Sequence, residues 1–390
     1  MARSGPPAPK HSRGHTAGIV GAVVGLAAAG TAVGVAVTRI AGRRVRAADV
    51  GPASDVAREA SAAQLRQDDP LGAAARVADR TALVQTDDGV LLSAEEIGPR
   101  DAPLTVVFVH GYTLSMGSWA FQRRTLAAEL ATANGHRPDA RLVFYDQRGH
   151  GSSGRGTPER STIEQLARDL ATVLETRAPR GPVVLVGHSM GGMTIMGLAA
   201  LRPELFGSKI TAVALISTSS GQLADLTFGL PDLLTRVRAA VFPVAAWTMR
   251  HRPAFAERTR RLAADVVSVV TRSLSFASAD VDPALVRYVD SMIAGTPVDV
   301  IAEFYPALAG MDHTGSLTPL RGIPTLVLTG DADKLIPMEH SELIVERLPD
   351  SEFVVVPDAG HLVLLEKPAE VTRALTALLR KVGAGSPARA

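Results

Sequence analysis

Short apolar runs alternate with longer amphipathic stretches from about residue 81 to near the C-terminus. Runs rich in Val, Ile and Leu that are bounded by Gly, Pro or Asp are typical of buried strands. Stretches with apolar positions three and four residues apart are typical of helices. This pattern predicts strands at 104–110, 141–145, 182–187, 210–216, 324–328 and 351–356. It predicts helices at 119–133, 162–176, 190–201, 340–347 and 369–379.

Two more strands precede this alternation. Residues 81–86 and 90–95 flank Asp87-Asp88-Gly89, and an Asp-Gly pair between apolar runs is a hairpin signal. An opening hairpin followed by alternating strands and helices predicts an α/β fold with a mostly parallel, doubly wound sheet. Ligands bind at the carboxyl ends of the strands in such sheets. Ser161 and Glu164 have the spacing of a capping box for the second helix.

The alternation stops between residues 217 and 318, where a helical pattern is broken by Pro and Gly without a strand signal. We therefore expect a helical lid at 217–318, inserted between two parts of the core at 81–216 and 319–382. Its apolar side chains, such as Phe228 and Trp247, would either line a substrate pocket or pack the lid on the core. The sequence leaves both possibilities open.

The first 80 residues differ in character from the rest. Residues 1–16 are polar and predicted to be disordered. The 21 residues at 17–37 include no charged side chain, and a helix of that length spans ~30 Å, the thickness of the bilayer core. We therefore expect a transmembrane helix or signal anchor at 17–38; a cleaved signal segment and a soluble Ala- and Gly-rich helix are the alternatives. A linker at 39–80 and a disordered tail at 383–390 complete the predicted organisation.

Basic residues flank the predicted membrane segment on both sides. The four arginines within the nine residues after it slightly outnumber the three basic residues before it, so the positive-inside rule favours a cytoplasmic body. The expected location is the plasma membrane, with a single pass. Secretion through a signal segment is the alternative.

Composition excludes several classes of function. The 390 residues have a formal net charge of only +2, so nucleic-acid binding has no electrostatic support. The absence of Cys excludes disulfides, thiolate metal sites and a cysteine nucleophile. No metal and no cofactor are expected, and no signal indicates an oligomeric state.

One motif organises the rest of the chain. The predicted strand at 182–187 runs into Gly187-His188-Ser189-Met190-Gly191, and a predicted helix follows. A strand, a sharp turn and a helix are the context that the Gly-x-Ser-x-Gly nucleophile elbow requires. So sharp a turn leaves no room for side chains at Gly187 and Gly191. It would present Ser189 at the top of the sheet.

A serine nucleophile needs a general base, which should follow it in the chain. Among the histidines after Ser189, His251 and His313 belong to the insertion and His340 opens a predicted helix. His361 follows the last predicted strand, at its carboxyl end. His361 is therefore the expected base.

The base in turn needs an acid that orients it. Asp331 and Asp333 both follow the strand at 324–328 and are both candidates. Asp331, next to Gly330, is suited to hold the turn by bonding its own backbone. Lys334 can extend to solvent.

The oxyanion of a tetrahedral intermediate needs two backbone N–H donors. Met190 supplies one, since it follows the nucleophile. The Tyr112 amide is the natural second donor, with Gly111 letting the backbone approach the substrate. His110 precedes Ser189, which is the wrong order for the base, and is interpreted as a residue that organises this loop.

These motifs resemble the α/β-hydrolase superfamily, in its lidded esterase, lipase and peroxidase-like branch, over about residues 81–379. They comprise His110-Gly111 with Trp119 downstream, residues 146–153, residues 187–192, Gly330-Asp331-Ala332-Asp333 with Pro337, and Gly360-His361. The resemblance selects Asp333 as the acid, because the family's acid usually lies three residues after the Gly and is followed by a Pro. It also implies that residues 146–153 are a structural turn that braces the active-site loops.

The resemblance further implies a reaction class. Related epoxide hydrolases and haloalkane dehalogenases have Asp where this chain has Ser189, so ester or related acyl chemistry is expected here. The prediction is a serine hydrolase, an esterase or lipase, that cleaves a small-molecule acyl or lipid-like ester through an acyl-enzyme. A cofactor-free peroxidase or perhydrolase, a carbon–carbon bond hydrolase and a peptidase use the same triad and are the alternatives, together with a non-catalytic binding module.

Overall fold

The computed structural model of the chain describes residue 71 and residues 78–132, 140–223, 272–278 and 280–385. The predicted disordered N-terminus at 1–16, the predicted membrane helix at 17–38 and most of the linker at 39–80 lie outside these residues. So do residues 224–271 of the predicted lid, with Phe228 and Trp247. In the part of the chain that is described, no helix is both long and apolar enough to cross a bilayer. The membrane helix at 17–38 therefore stays a prediction.

The described residues form strands and helices in the predicted alternation. The strands are β1 Arg80–Gln85, β2 Leu91–Ile97, β3 Leu104–Val109, β4 Ala140–Tyr145, β5 Val183–His188, β6 Ile210–Ile216, β7 Thr325–Gly330 and β8 Glu352–Val356. The α-helices are α1 Ala120–Thr132, α2 Ile163–Arg177, α3 Met190–Leu201, α4 Pro283–Gly295, α5 Val298–Ala309, α6 Met338–Arg347, α7 Val363–Glu366 and α8 Pro368–Gly385.

A single eight-stranded sheet has the order β1-β2-β4-β3-β5-β6-β7-β8. The predicted hairpin is confirmed, since β1 and β2 pair antiparallel with Val84 opposite Leu92. Strand β2 also pairs antiparallel with β4, and the remaining pairs are parallel. The predicted mostly parallel sheet is therefore confirmed.

The central strands are apolar along their whole length because helices cover both faces of the sheet. Every residue of β5 is buried. In β3, Val107 and Val109 belong to a core shared with α2 and α3, whereas Val106 and Phe108 belong to a second core shared with α1 and α8. The period of two along a strand divides the interior into these two halves.

The described part of the insertion returns to the core next to the point where the chain leaves it. Gly221, shortly after β6, forms an antiparallel bridge with Asp312, and the His313 amide donates to the Ser220 carbonyl at 2.7 Å. Helices α4 and α5 lie between residues 280 and 312. The insertion therefore leaves and re-enters the core at the carboxyl edge of the sheet.

Three local predictions differ from the structure. The N-cap of α2 is Thr162, whose hydroxyl accepts from the Gln165 amide at 3.1 Å, and not Ser161. The Ser161 hydroxyl instead donates to Glu303 of α5, a contact that local spacing cannot reveal. The short helix α7 was not predicted. Helix α8 continues to Gly385, three residues beyond the predicted core boundary at 382, and residues 386–390 lie outside the described part.

The strand order places a topological switch point between β3 and β5. Strand β4 lies on one side of β3 and strand β5 on the other. Val109 of β3 pairs with Gly187 of β5 near the carboxyl ends of these two strands. Loops that follow strands on either side of such a point diverge and leave a crevice. The loops after β3, β5, β7 and β8 meet at this edge.

Candidate active site

Ser189 lies in the turn between β5 and α3, with φ 53° and ψ −121°. This left-handed conformation is strained for a residue with a side chain. A Cβ on Gly187 would lie 2.6 Å from backbone atoms of Gly191, and one on Gly191 would overlap the carbonyl oxygen of Val109. The Ser189 amide donates to the Ile216 carbonyl at 2.9 Å, and the Thr218 hydroxyl donates to the Ser189 carbonyl at 2.7 Å. These contacts hold the strained turn in place.

His361 and Asp333 converge on Ser189 from the loops after β8 and β7. The Ser189 hydroxyl oxygen lies 3.0 Å from His361 Nε2, and His361 Nδ1 lies 2.9 Å from Asp333 Oδ2. A carboxylate only accepts hydrogen bonds, so Nδ1 carries the proton and Nε2 is free to accept from the serine. All three residues are buried.

The acid candidates after β7 have different partners. Asp333 Oδ1 accepts from the amides of Leu335 and Ile336, each at 2.9 Å, so both oxygens of this carboxylate are engaged. The Asp331 carboxylate was expected to bond its own backbone. Its Oδ1 instead lies 3.4 Å from the Ala359 amide in the loop after β8. Lys334 does not simply extend to solvent, since its Nζ donates to the Ser273 carbonyl at 3.0 Å.

Tyr112 and Met190 border the same cavity as Ser189. Met190 is the first residue of α3, where backbone N–H groups have no partner within the helix. The loop after β3 approaches closely, because a Cβ on Gly111 would lie 2.8 Å from His188 Nδ1 and 3.1 Å from Ser189 Cβ. The Tyr112 hydroxyl donates to the Ile301 carbonyl, so the phenol is held by α5.

The loops after β3 and β4 are tied together behind the site. The Gln147 amide donates to His110 Nε2 at 2.9 Å, so His110 carries its proton on Nδ1 and donates to the Gly111 carbonyl at 2.8 Å. Asp146 accepts from the amides of Met116 at 2.7 Å and Ser152 at 2.8 Å. Burial lowers the pKa of His110 to about 4, so this side chain is neutral. The expected bracing role of His110 and of residues 146–153 is confirmed.

His188 was not predicted to contribute to the site. Its Nε2 lies 2.9 Å from the His361 carbonyl oxygen, which can only accept, so Nε2 carries the proton. The two imidazole centroids are 4.9 Å apart. Burial, followed by the proximity of His361, lowers the pKa of His188 well below its ordinary value. A neutral imidazole therefore holds the backbone of His361.

A cavity of about 270 Å³ opens above Ser189. The insertion contributes side chains one helical turn apart, Val289 and Ile293 from α4 and Tyr305 and Leu308 from α5. This i, i+3 and i, i+4 spacing is visible in the sequence, although it equally describes a helix face packed on a core. The remaining described lining is mostly apolar and includes Leu114, Met193, Leu223, Leu335, Ile336 and Leu362.

Metal-ligand clusters are not found in the described part of the chain: no group of three or more His, Asp or Glu side chains is placed there to hold an ion. The polar residues that line the cavity include Ser189 and His361, and Met190 at the N-terminus of α3 also lines it. Such a set can activate a nucleophile and stabilise a developing oxyanion.

Comparison with known proteins places this geometry in context. A family model described as the alpha/beta hydrolase fold matches residues 105–368. The curated 3-oxoadipate enol-lactonase 1 of Acinetobacter baylyi is 26% identical over 300 residues, which cover 77% of this chain and 97% of the lactonase. The sn-1-specific diacylglycerol lipase of Mus musculus is 27% identical over 282 residues, covering 72% of this chain and 82% of the lipase. A solved thermophilic esterase from Thermogutta terrifontis is similar with a TM-score of 0.60 and 28% identity, over 78% of this chain and 99% of the esterase.

Proposed function

The chain belongs to the alpha/beta-hydrolase family, and on that premise we propose that it hydrolyses carboxylic esters with Ser189 as the nucleophile. The observation that carries the proposal is the line of hydrogen bonds from Ser189 through His361 to Asp333, with distances of 3.0 and 2.9 Å. It ends at a cavity that can hold an acyl group.

Acylation begins with proton transfer. His361 Nε2 takes the hydroxyl proton as the Ser189 oxygen bonds to the ester carbonyl carbon. The carbonyl oxygen becomes negative and accepts from the amides of Tyr112 and Met190, each worth roughly 3 kcal/mol of transition-state stabilisation. Asp333 keeps the proton on Nδ1 and stabilises the imidazolium.

Departure of the alcohol completes acylation. The imidazolium gives its proton to the leaving alcohol, and the carbon–oxygen bond to that alcohol breaks. In deacylation, water attacks the acyl-enzyme while His361 Nε2 takes one of its protons, and the imidazolium then gives a proton to the Ser189 oxygen as the bond between that oxygen and the acyl carbon breaks. The products are an acid, an alcohol and the free serine, so no cofactor is required.

The cavity has room for a small or medium acyl group. An engineered apolar cavity of about 150 Å³ holds benzene, and the cavity above Ser189 measures about 270 Å³. An aromatic ring with a short substituent, or an unbranched acyl chain of medium length, fits this volume. The esterase and lactonase names of two relatives support ester chemistry, and the lipase name of a third supports an acyl substrate.

A fluorophosphonate probe tests the nucleophile directly, because it phosphonylates activated serines. The wild-type chain is expected to be labelled and to hydrolyse p-nitrophenyl esters, with the highest kcat/KM at short to medium acyl length. Ser189→Ala is expected to lose both, since no other hydroxyl faces His361 Nε2 among the described residues. Labelling that persists in Ser189→Ala, or its absence from the wild type, would overturn the assignment.

We propose, as a separate point, that residues 17–38 anchor the body in the plasma membrane with a single pass. The uncharged stretch at 17–37 is long enough for the bilayer core. The full chain is expected to stay in the membrane pellet after alkaline carbonate extraction, and a chain beginning at residue 39 is expected to be released. Release of both would contradict the anchor, and a shortened secreted product would favour a cleaved signal segment.

A further inference from the structure

Residues 272–278 of the insertion, here named the return segment, lie against the loop that carries His361. The Leu362 amide, directly after the base, donates to the Ser275 carbonyl at 3.1 Å. On the other side of the base, a Cβ on Gly360 would lie 2.6 Å from the Ala277 nitrogen and the Phe276 carbonyl carbon. The return segment therefore packs backbone to backbone on both neighbours of His361.

A single carboxylate holds these two backbones together. Glu366 Oε2 accepts from the Gly360 amide at 2.7 Å, and Glu366 Oε1 accepts from the Ala277 amide at 3.0 Å. Hydrogen bonds to an ionised acceptor are roughly twice as strong as neutral ones. Glu366 lies at the end of α7, and its hydrogen bonds among the described residues reach the Gly360 and Ala277 amides and not the Ser189 or His361 side chains. It therefore joins the loop that carries His361 to the insertion.

The same segment is also held from the loop of the acid. Lys334 directly follows Asp333, and its ammonium donates to the Ser273 carbonyl at 3.0 Å and approaches the Phe276 carbonyl at 3.5 Å. Carbonyl oxygens of the return segment thus face the Lys334 ammonium, on the loop that carries Asp333. The Ala277 amide of the same segment donates to Glu366, which follows His361 in the chain. The return segment spans the gap between the loops that carry Asp333 and His361.

We propose that the return segment is a brace that sets the His361–Asp333 hydrogen bond, with Lys334 and Glu366 as its positioning residues. Ser275 of this segment also lines the cavity. A segment that lines the cavity therefore also helps to place His361. The inference rests on the proposed function, because it assigns a catalytic consequence to this placement.

Matched substitutions test the brace. Glu366→Gln keeps the size of the side chain but leaves one acceptor oxygen for two amides, and Lys334→Met keeps the aliphatic stem without the ammonium. Small misplacements of catalytic groups cost one to two orders of magnitude in rate. Each variant is expected to lower kcat for a p-nitrophenyl ester about 10-fold while KM changes by less than about 3-fold. Glu346→Gln, in the exposed part of α6, is the control and is expected to keep the wild-type kcat.

A spectroscopic measurement separates the brace from the proposed function. The proton between His361 Nδ1 and Asp333 gives a low-field proton NMR resonance that requires no substrate. It is expected to shift upfield or broaden in Glu366→Gln and Lys334→Met and to be unchanged in Glu346→Gln. An unchanged resonance with unchanged kcat, or a loss of activity that only follows a loss of folded protein in urea titrations, would overturn the brace. A wild-type chain that shows the resonance but hydrolyses no ester would overturn the proposed function instead.

Discussion

At the scale of single residues, the two aspartates after β7 differ in how completely their oxygens are used. Asp333 directs one oxygen to His361 Nδ1 and the other to two backbone amides, so its carboxylate can neither rotate nor turn away from the imidazole. Asp331 makes one long contact, at 3.4 Å, with the Ala359 amide. Only Asp333 is placed to select the imidazole tautomer.

Replacing each aspartate by asparagine tests this difference. Asp333→Asn presents an N–H to the imidazole or forces the other tautomer, so kcat is expected to fall on the order of 10³- to 10⁴-fold. Asp331→Asn keeps a carbonyl acceptor for Ala359 and is expected to stay within about 3-fold of the wild type. Steady-state hydrolysis of a p-nitrophenyl ester measures both. The assignment of the acid is wrong if Asp331→Asn is the crippled variant and Asp333→Asn is not.

At the scale of secondary-structure elements, the strand β5, the turn at Ser189 and the helix α3 act as one unit. The turn places Ser189 above the sheet only because β3 and α3 approach each other at Gly191, where the neighbouring atoms are backbone and cannot move aside. The strain at Ser189 is stored in a junction of two rigid elements, which is the usual location of strained functional residues.

Substitution of Gly191 by alanine should therefore be far worse than alanine at a helix end with free space. We expect Gly191→Ala to lose at least about 3 kcal/mol of unfolding free energy and all fluorophosphonate labelling. Gly295→Ala is the control, because a Cβ on Gly295 meets nothing within 4 Å, and it should change stability by less than about 1 kcal/mol. Urea unfolding and probe labelling measure the pair. Wild-type stability and labelling in Gly191→Ala would contradict the steric conflict between a side chain at position 191 and the Val109 backbone.

At the scale of the whole molecule, the sheet edge that carries the site encloses several neutral histidines. Burial lowers the pKa of His110 to about 4, and burial together with the neighbouring His110 lowers that of His150 to about 3. Burial also holds the pKa of His188 well below its ordinary value. In the unfolded chain each of them titrates near pH 6.5, so unfolding in mild acid takes up protons.

This difference makes stability depend on pH in a defined direction. The contribution of the three histidines is complete above pH 6.5 and is lost as the pH falls from there towards the folded values of about 4 and below. One proton corresponds to about 1.4 kcal/mol per pH unit, so the unfolding free energy should drop by about 4 kcal/mol per unit near pH 5.5. Urea unfolding at several pH values measures the slope of the unfolding free energy against pH. His150→Gln should reduce that slope by about 1.4 kcal/mol per pH unit, the contribution of one proton. A flat profile between pH 5 and 6.5 would contradict the neutral histidines.

Much of the fold, and the placement of Ser189 and His361 at one edge of the sheet, were predictable because their signals are local. The period of the apolar runs predicts the strands, and Asp88-Gly89 predicts the hairpin. The five residues around Ser189 contain the steric reason for their own turn. His361 and Asp333 follow strands in a parallel sheet, and loops at the carboxyl ends of parallel strands share one edge.

The features that the sequence did not predict depend on contacts between residues far apart in the chain. The Ser161 hydroxyl bonds Glu303, in α5, and does not cap α2. Glu366 bonds the amide of Ala277, 89 residues earlier in the chain. Neither contact leaves a spacing in the sequence. The residues of α4 and α5 that line the cavity recur at a helical spacing. A helix face buried against the core has the same spacing, so the sequence does not distinguish the two.

The sequence by itself therefore determined the order of the elements and the nucleophile turn, because backbone sterics and side-chain periodicity act between neighbours. Only the tertiary structure decided the distances that join Ser189, His361 and Asp333, the shape of the cavity and the brace on the base. Those depend on how separate loops pack against one another, and packing is a property of surfaces that meet only after the chain has folded.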